Sequence, residues 1–371
     1  MTCNEIFKYF EDWAPKEIAW QKDNVGLQVG SVKRKVKNIL LSLELTDSVV
    51  EDAIKKNCNL IITHHPLLFH SPKKIDTLND KNSRLIEKLI KNDITLYSAH
   101  TNLDFTRDGV SFELAKKLNL KKIDFLVNIK SNQNKLIVYV PLTHVNRISK
   151  AIFEAGGGII GEYSNCSFKT SGTGTFRGSG KTNPSIGKKG NFEEVEEVRL
   201  EVLVNSWKLR NVLNAILKVH PYEEIAYDIY PLENSNVNYG EGVIGNLEKS
   251  LNVKTFLSYI SQKLNIKNFR YTKGSKNSIN KVAVCGGAGS DLIKDAVISG
   301  ADAFITADIK YHTFHDFNGE ILLIDAGHYE TEIHSLKQVK NKLENYINSN
   351  NSNIKIFKYG GSTNPIIFYN N

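Results

Sequence analysis

Cysteine is scarce in this chain. The four present, Cys3, Cys58, Cys166 and Cys285, lie far apart and form no C-x-x-C pair. That pattern argues against a disulfide scaffold and a cysteine-ligated zinc site, and it fits a reducing cytosol. Long apolar runs are absent too. None approaches the ~20 residues that a membrane-spanning helix needs, so no membrane partner is expected. The stretch from Met1 to Trp20 reads as an amphipathic helix with Glu5, Glu11 and Asp12, without the apolar centre of a signal peptide. Arginine is the third scarcity: of 48 Lys+Arg only eight are arginine, although the formal net charge is +8. A basic balance invites a nucleic-acid partner. Arginine, however, is the better reader of phosphates and bases, because its planar fork is bidentate. The lysines are scattered among abundant Asn and Ile, so a solvated lysine-rich surface is expected rather than a nucleic-acid interface. What is present is globular: 41% hydrophobic and 24% charged residues over 371, enough for two or three domains.

Strand and helix patterns alternate along the first third. Thr2-Cys3-Asn4-Glu5 is a capping-box pattern for a helix ending near Trp13-Ala14-Pro15. Apolar runs at Val36–Leu43, Leu60–Thr63 and Ile94–Ser98 read as buried strands, with helices near Asp47–Lys56 and Ser83–Lys91 between them. This order predicts βαβ units and largely parallel sheets. The middle has another rhythm: strand Lys135–Val140, helix Val145–Ala155, a Gly/Ser/Thr-rich stretch, strand Glu194–Val204, helix Trp207–Val219 and strand Ile225–Tyr230. With one strand inside the glycine-rich stretch, the order is βαββαβ, the ferredoxin-like motif. The last third returns to the first rhythm. Placing Thr306 on Thr63 puts strand Val282–Cys285 on Ile39–Ser42, helix Asp291–Ile298 on Ser48–Lys55 and strand Ala303–Thr306 on Leu60–Thr63 without a gap. Duplication accounts for the shared order. The expected fold is therefore α/β: two related halves, 1–127 and 235–371, form one core interrupted by an inserted domain, 128–234. The ends of the insert should lie close together.

Three strand ends carry reactive residues. The first reads Thr63-His64-His65-Pro66; adjacent histidines face one cleft only if the chain turns, which Pro66 suits. The second reads His100-Thr101-Asn102-Leu103-Asp104, where Asp104 taken alone reads as a turn residue or helix cap before Asp108–Leu118. The third runs from Asp325 to Glu332, and His328 and Glu332 share a face if the helix expected over Thr331–Ile347 has begun by His328. Alone, that pair could be a helix-start histidine with a carboxylate complementing the dipole. Ligands of open α/β sheets sit at the carboxyl ends of strands, so the three ends gain weight together. Three imidazoles and two carboxylates suit a carboxylate-bridged pair of metals with positions left for water or substrate. Zn, Fe, Mn and Co all accept such ligands.

With these motifs in view, the sequence resembles the Nif-three-like family, whose bacterial members carry the name GTP cyclohydrolase 1 type 2 homologue. The likeness runs through Asp23-Asn24-Val25-Gly26-Leu27-Gln28-Val29-Gly30, Thr63-His64-His65-Pro66, His100 to Asp104 and Gly327 to Glu332. In the middle it includes Gly174-Thr175-Phe176-Arg177, Asn183-Pro184 and His220-Pro221-Tyr222-Glu223-Glu224. The resemblance implies His64, His65, Asp104, His328 and Glu332 as ligands of two divalent metal ions per chain. It also implies a toroidal homohexamer, and an insert related to signalling and ion-tolerance ferredoxin-like folds. The function it implies is a metal-dependent hydrolase of a small-molecule substrate, with a non-enzymatic metal-binding regulator as the alternative. Around this set, His100 is read as orienting Asp104. Asp308, His312 and His315 are read as cleft-lining residues, and His70, His144 and His334 as surface residues. Gly286-Gly287-Ala288-Gly289 lacks the full fingerprint of a phosphate loop and is read as a close-packed strand-to-helix turn.

Overall fold

The computed structural model describes residues 1–130 and 132–369. The chain forms two compact units, Asn128–Asn238 and the remainder, 1–127 with everything from Tyr239 onward. The first part of the larger unit contains α1 (Cys3–Trp13), β1 (Gly26–Val29), β2 (Asn38–Ser42), α2 (Asp47–Lys55), β3 (Leu60–Thr63), α3 (Lys81–Lys91), β4 (Thr95–Ser98), α4 (Thr101–Asp104), α5 (Val110–Lys117) and β5 (Lys121–Lys130). The smaller unit contains β6 (Gln133–Pro141), α6 (Val145–Glu154), β7 (Phe168–Arg177), β8 (Phe192–Asn205), α7 (Leu209–Val219) and β9 (Tyr227–Leu232). The chain returns through β10 (Ser235–Asn252) to α8 (Val253–Leu264), β11 (Arg270–Tyr271), β12 (Ser278–Ala288), α9 (Ile293–Ile298), β13 (Ala303–Ala307), α10 (Tyr311–Asp316), β14 (Leu322–Asp325), α11 (His328–Glu332), α12 (Ser335–Ser349) and β15 (Lys355–Lys358).

Within the larger unit one sheet has the order β1-β4-β3-β2-β15 and another β11-β14-β13-β12-β10-β5. Each contains a run of parallel strands, β2-β3-β4 and β12-β13-β14. These strands are largely apolar because both faces are covered: every residue of β3, β4, β13 and β14 is buried, the polar ones being Thr63, Thr95, Ser98, Thr306 and Asp325. Outside these runs the pairing is antiparallel: β1, β10 and β11 pair with β4, β12 and β14. The segment 235–371 also does not stay in one sheet: β15 lies beside β2. Helix α12, which precedes it in the chain, packs Leu336, Val339, Leu343 and Ile347 into the cluster that holds Ile6, Phe10 and Ile39. At the start of α1, Glu5 N donates to Thr2 Oγ1 and Thr2 N donates to Glu5 Oε2 at 2.7 Å, a reciprocal cap that satisfies two free backbone donors.

The helix expected over Thr331–Ile347 is two helices in the structure, α11 and α12. Side chains take over the carbonyls at the break. Thr331 Oγ1 donates to Gly327 O and His328 O, both at 2.9 Å, and Ser335 Oγ to Glu332 O at 2.7 Å.

The smaller unit has a single sheet, β7-β8-β6-β9, in which every neighbouring pair is antiparallel. Alternate residues of β6 and β8 (Leu136, Val138, Val140; Val198, Leu200, Val202, Val204) bury one face. They pack against Val145, Ile148 and Ile152 of α6 and Val212 and Ile216 of α7. The ends of this unit approach each other, with Asn128 Nδ2 donating to Asn236 O at 3.1 Å.

Candidate metal centre

Strand β3 delivers two histidines to one place because the chain turns at its end. The amides of His64 and His65 still donate to Ser42 O and Leu43 O of the neighbouring strand path. Thr63 Oγ1 then closes the turn by donating to His65 O at 2.9 Å. Strand β4 ends at Ser98, and Ala99-His100 lead directly into α4, whose last residue is Asp104. Strand β14 is followed by Gly327, at φ +90°, a conformation that favours glycine. It lets α11 begin at His328, so His328 and Glu332 stand one turn apart on one face.

The five side chains converge. Glu332 is the hub: Oε1 lies 3.0 Å from His328 Nε2 and 3.6 Å from His64 Nε2, and Oε2 lies 3.3 Å from His65 Nε2. Asp104 Oδ1 is 3.6 Å from His64 Nε2. The Nε2 atoms of His65 and His328 are 3.2 Å apart. His100 joins them, its ring centroid 5.2 Å from that of His64 and 5.4 Å from that of His65.

Each imidazole is aimed by a partner on its outer nitrogen. His64 Nδ1 donates to Ala99 O at 2.8 Å, His65 Nδ1 to Glu44 Oε1 at 3.1 Å and His328 Nδ1 to Asp308 Oδ2 at 2.6 Å. His100 Nδ1 donates to Asp23 Oδ2 at 2.9 Å. Such partners set the tautomer, leaving the Nε2 lone pairs pointed inward. The backbone shapes the same space: a Cβ at Gly287, whose φ is +67°, would stand 2.3 Å from Glu332 Oε1. The glycine-rich turn is thus close-packed against the cluster.

Burial and charge oppose each other here. Burial lowers the His64 pKa, but Glu332 and Asp104 outweigh it and push it up to about 9. Burial likewise lowers His328, and Glu332 and Asp308 raise it to about 10. His65 is held low by burial, against the bond to Glu44. Burial raises Asp104 to about 6 despite His64. Burial would raise Glu332 as well, but the charge of His64 and the bond from His328 hold it well below the carboxylate range. Asp23 is brought down to about 2 because its bonds to His100 and Thr101 outweigh burial.

A cation fits this donor set on an observation of the chain itself. His64 Nε2, Asp104 Oδ1 and Glu332 Oε2 are buried without a hydrogen-bond partner. Buried polar atoms are rarely left so, because the loss of water is then uncompensated. Two inward imidazole lone pairs at the His65–His328 separation also require a proton or a cation between them. Groups able to hold an ion include His65, His328 and Glu332, and separately His64, His65 and His100.

The model of the Duf34/NIF3 (NGG1p interacting factor 3) family matches residues 1–365. The chain belongs to the Duf34/NIF3 family. It is 38% identical over 366 residues to a GTP cyclohydrolase 1 type 2 homolog of Halalkalibacterium halodurans, covering 98% of both chains. It is also 38% identical over 367 residues to one of Bacillus subtilis, again with 98% of both covered. Among solved structures, a Bacillus cereus protein related to NIF3 superposes with a TM-score of 0.87 at 37% identity, over 100% of this chain and 99% of that one. A Staphylococcus aureus protein gives 0.79 at 30% identity with the same coverage.

Against this Duf34/NIF3 background, Asp23-Asn24-Val25-Gly26-Leu27-Gln28 acquires a physical role. Asp23 anchors His100 and also accepts from Thr101 N and Oγ1 at 3.1 and 2.6 Å. Asn24 Nδ2 donates to Leu68 O, and Gln28 Oε1 accepts from Leu68 N at 3.1 Å, clamping the loop that follows His65-Pro66. Three expectations change. Asp104 is no helix cap: the residue before α5 is Gly109, and no side chain caps that helix. His100 bonds Asp23 and faces His64 and His65, so it is not placed to orient Asp104 through a bond. His334 is half-buried, with burial pushing its pKa down to about 4, because the start of α12 is packed into the core. Asp308 orients His328, whereas the exposed His312 and His315 of α10 are outside the ion-holding groups found among the described residues. In the insert, His220 and Tyr222 serve the fold: His220 Nε2 donates to Tyr139 O at 3.1 Å, and Tyr222 Oη to Glu197 Oε1 at 2.9 Å.

Glu44 had no signal in the sequence. Its Oε2 accepts from Thr363 Oγ1 near the C-terminus while Oε1 holds His65. Glu44→Gln should keep the fold and weaken metal binding about 10- to 100-fold, the usual range for such orienting partners. Thr363→Val should act in the same direction with a smaller effect. Titration of chelator-treated protein with Zn²⁺ checks both, and wild-type affinity in Glu44→Gln would remove Glu44 from the site.

Proposed function

We propose that this chain is a dinuclear metal-dependent hydrolase of a small molecule, with His64, His65, Asp104, His328 and Glu332 as the ligands. The convergence of three buried polar atoms that have no protein partner carries this reading. Bound there, two divalent cations would supply Lewis acidity and an activated water. Glu332, whose oxygens face all three imidazoles, and Asp104, beside His64, would hold the cations together with the histidines. Ala99 O, Glu44 and Asp308 hold the proton on Nδ1 of His64, His65 and His328, so that each Nε2 would be the ligating atom. Beside Asp104 lies a cavity of about 40 Å³ lined by Trp20, Phe105, Glu241, Cys285 and Asp291 among others. Its walls carry carboxylates and no Lys or Arg, which favours an amine-bearing group there over a phosphoryl group.

The test is a screen of metal-loaded protein against phosphoesters, nucleotides and cyclic amides. GTP belongs in the panel because of the relatives' name. Turnover abolished by chelation and by His65→Ala is expected, and full metal loading without turnover on any class would count against a hydrolase. A toroidal homohexamer belongs to the same reading, with a solution mass near six chains expected by light scattering.

We further propose that the two halves of the larger unit arose by duplication and that the insert is ferredoxin-like. The β7-β8-β6-β9 order and two helices on one face support the latter. All proposed ligands and their orienting partners lie outside the insert, and its apolar cluster draws only on its own residues. Replacing Gln133–Glu233 by a short glycine-serine linker should leave a folded core that still binds metal. Loss of metal from a soluble, folded deletion protein would contradict this.

A further inference from the structure

The insert carries a groove that the metal chemistry does not use. Helix α6 buries Val145, Ile148 and Ile152 in the sheet core, and a different stripe of it, Asn146, Ser149, Lys150 and Phe153, lines a groove of about 540 Å³. These residues fall at i, i+3, i+4 and i+7, one face of a helix. Asn165 and Lys169, on the approach to and within β7, form the opposite wall. The two walls therefore match, each with one amide and one ammonium.

The floor is built. Cys166 N donates to Gly158 O at 2.9 Å, closing the excursion of the chain that brings Asn165 and Lys169 opposite the helix. Gly158 has φ +75°, and a Cβ there would stand 2.9 Å from the Phe153 ring, so glycine lets the ring lie where it does. Beside that ring is Ser149, 5% exposed, whose Oγ has no hydrogen-bond partner. A helical serine normally donates back to the carbonyl one turn earlier, and this hydroxyl does not. It is a buried donor without a protein acceptor, on a residue that lines the groove. The groove's charges are Lys150, Lys169 and Glu154. Lys150 reaches Glu154 at 3.8 Å with three quarters of its side chain exposed, a pair too weak to hold the ammonium against a better partner.

We infer that this groove binds a phosphate-bearing small molecule, with the phosphate between Lys150 and Lys169 and the organic part against Phe153. One hydroxyl, two ammonium groups and two carboxamides are more donors than a carboxylate can occupy, and a tetrahedral oxyanion accommodates them. The volume suits a ligand of mononucleotide size. No proposed metal ligand lies in this unit, so the site stands or falls apart from the metal centre.

Calorimetric titration of the full, metal-loaded chain with adenosine 5′-monophosphate, inorganic phosphate and acetate tests it. Saturable binding of the nucleotide is expected, displaced by inorganic phosphate and not by acetate. Lys150→Gln/Lys169→Gln, two exposed changes that keep the fold, should weaken it at least tenfold, and Ser149→Ala several-fold. His65→Ala should leave it unchanged. Circular dichroism and metal content equal to wild type would show that the groove variants are intact. No saturation at millimolar ligand, equal affinity in the lysine double variant, or loss in His65→Ala would overturn the proposal. Equal displacement by acetate would overturn its assignment to phosphate.

Discussion

The His64→Ala/His65→Ala/Glu332→Ala protein is expected to emerge from chelator-free purification without metal, where the wild type carries up to about two ions per chain. The change removes the hub carboxylate and two of the imidazoles that face it. The fold should survive because the loss is balanced in charge. Glu332→Ala alone would leave His64, 2% exposed, without the carboxylate that holds its proton. Breaking one member of a buried pair costs more than deleting the whole set. The triple variant deletes His64 together with its carboxylate partner and leaves Asp104, which burial already drives toward the neutral acid, and His328, which keeps its bond to Asp308. Heat denaturation gives a second readout. A ligand at a thousand times its Kd stabilises the folded state by about 4 kcal/mol. Chelation should therefore lower the wild-type Tm by several degrees and leave the triple variant where it was. Two ions per chain in the triple variant would sink the ligand assignment.

Much of this arrangement is written locally in the sequence, and the remainder depends on register. Parallel strands buried on both faces appear as short apolar runs, and the residues just past them are the ones an α/β sheet exposes to a ligand. Thr63-His64-His65-Pro66 and the i,i+4 spacing of His328 and Glu332 could be read that way. Glu44 could not. It faces His65 because Ser42 pairs with Thr63 across β2 and β3, so residues two further along each strand path come opposite one another. Thr363 reaches Glu44 only because β15 adds to β2 in parallel. Asp23 is reached from the other edge, where β1 pairs antiparallel with β4 and the two-residue alignment of Gly26 with Ser98 and Leu27 with Tyr97 brings the preceding loop to His100. Short edge strands such as β1 and β11 have too few residues for a periodicity to appear. The residues of β1 run buried, exposed, half-buried and buried across a register irregularity, and both residues of β11 are exposed.

Asp104→Asn should change stability in opposite directions with and without metal. A cap would tolerate the change, because Asn caps about as well as Asp. Asp104 is not one, and its Oδ1 is buried without a partner. In the metal-free chain its pKa is raised by burial from the ordinary 3.8 to about 6. The folded chain therefore holds this proton more tightly than the unfolded chain, and stability falls as pH rises from about 4 to about 6. At pH 7 the ionised carboxylate is a net cost to the metal-free fold. Asn carries no charge, so the metal-free variant should melt no lower than the metal-free wild type at pH 7, with the difference fading below about pH 4. With cations bound the order should invert. The variant then lacks a full negative charge beside them, the amide oxygen is a weak neutral donor, and repulsion between two cations is less compensated. One ion should be lost or weakened, the metal-dependent rise in Tm should shrink, and any turnover should drop by orders of magnitude. Zn²⁺ titration and melting curves at pH 4 and pH 7, each with and without metal, decide the matter. Wild-type affinity for two ions, together with equal melting in all four conditions, would leave Asp104 without a role in the centre and make Asp308 the next carboxylate to replace.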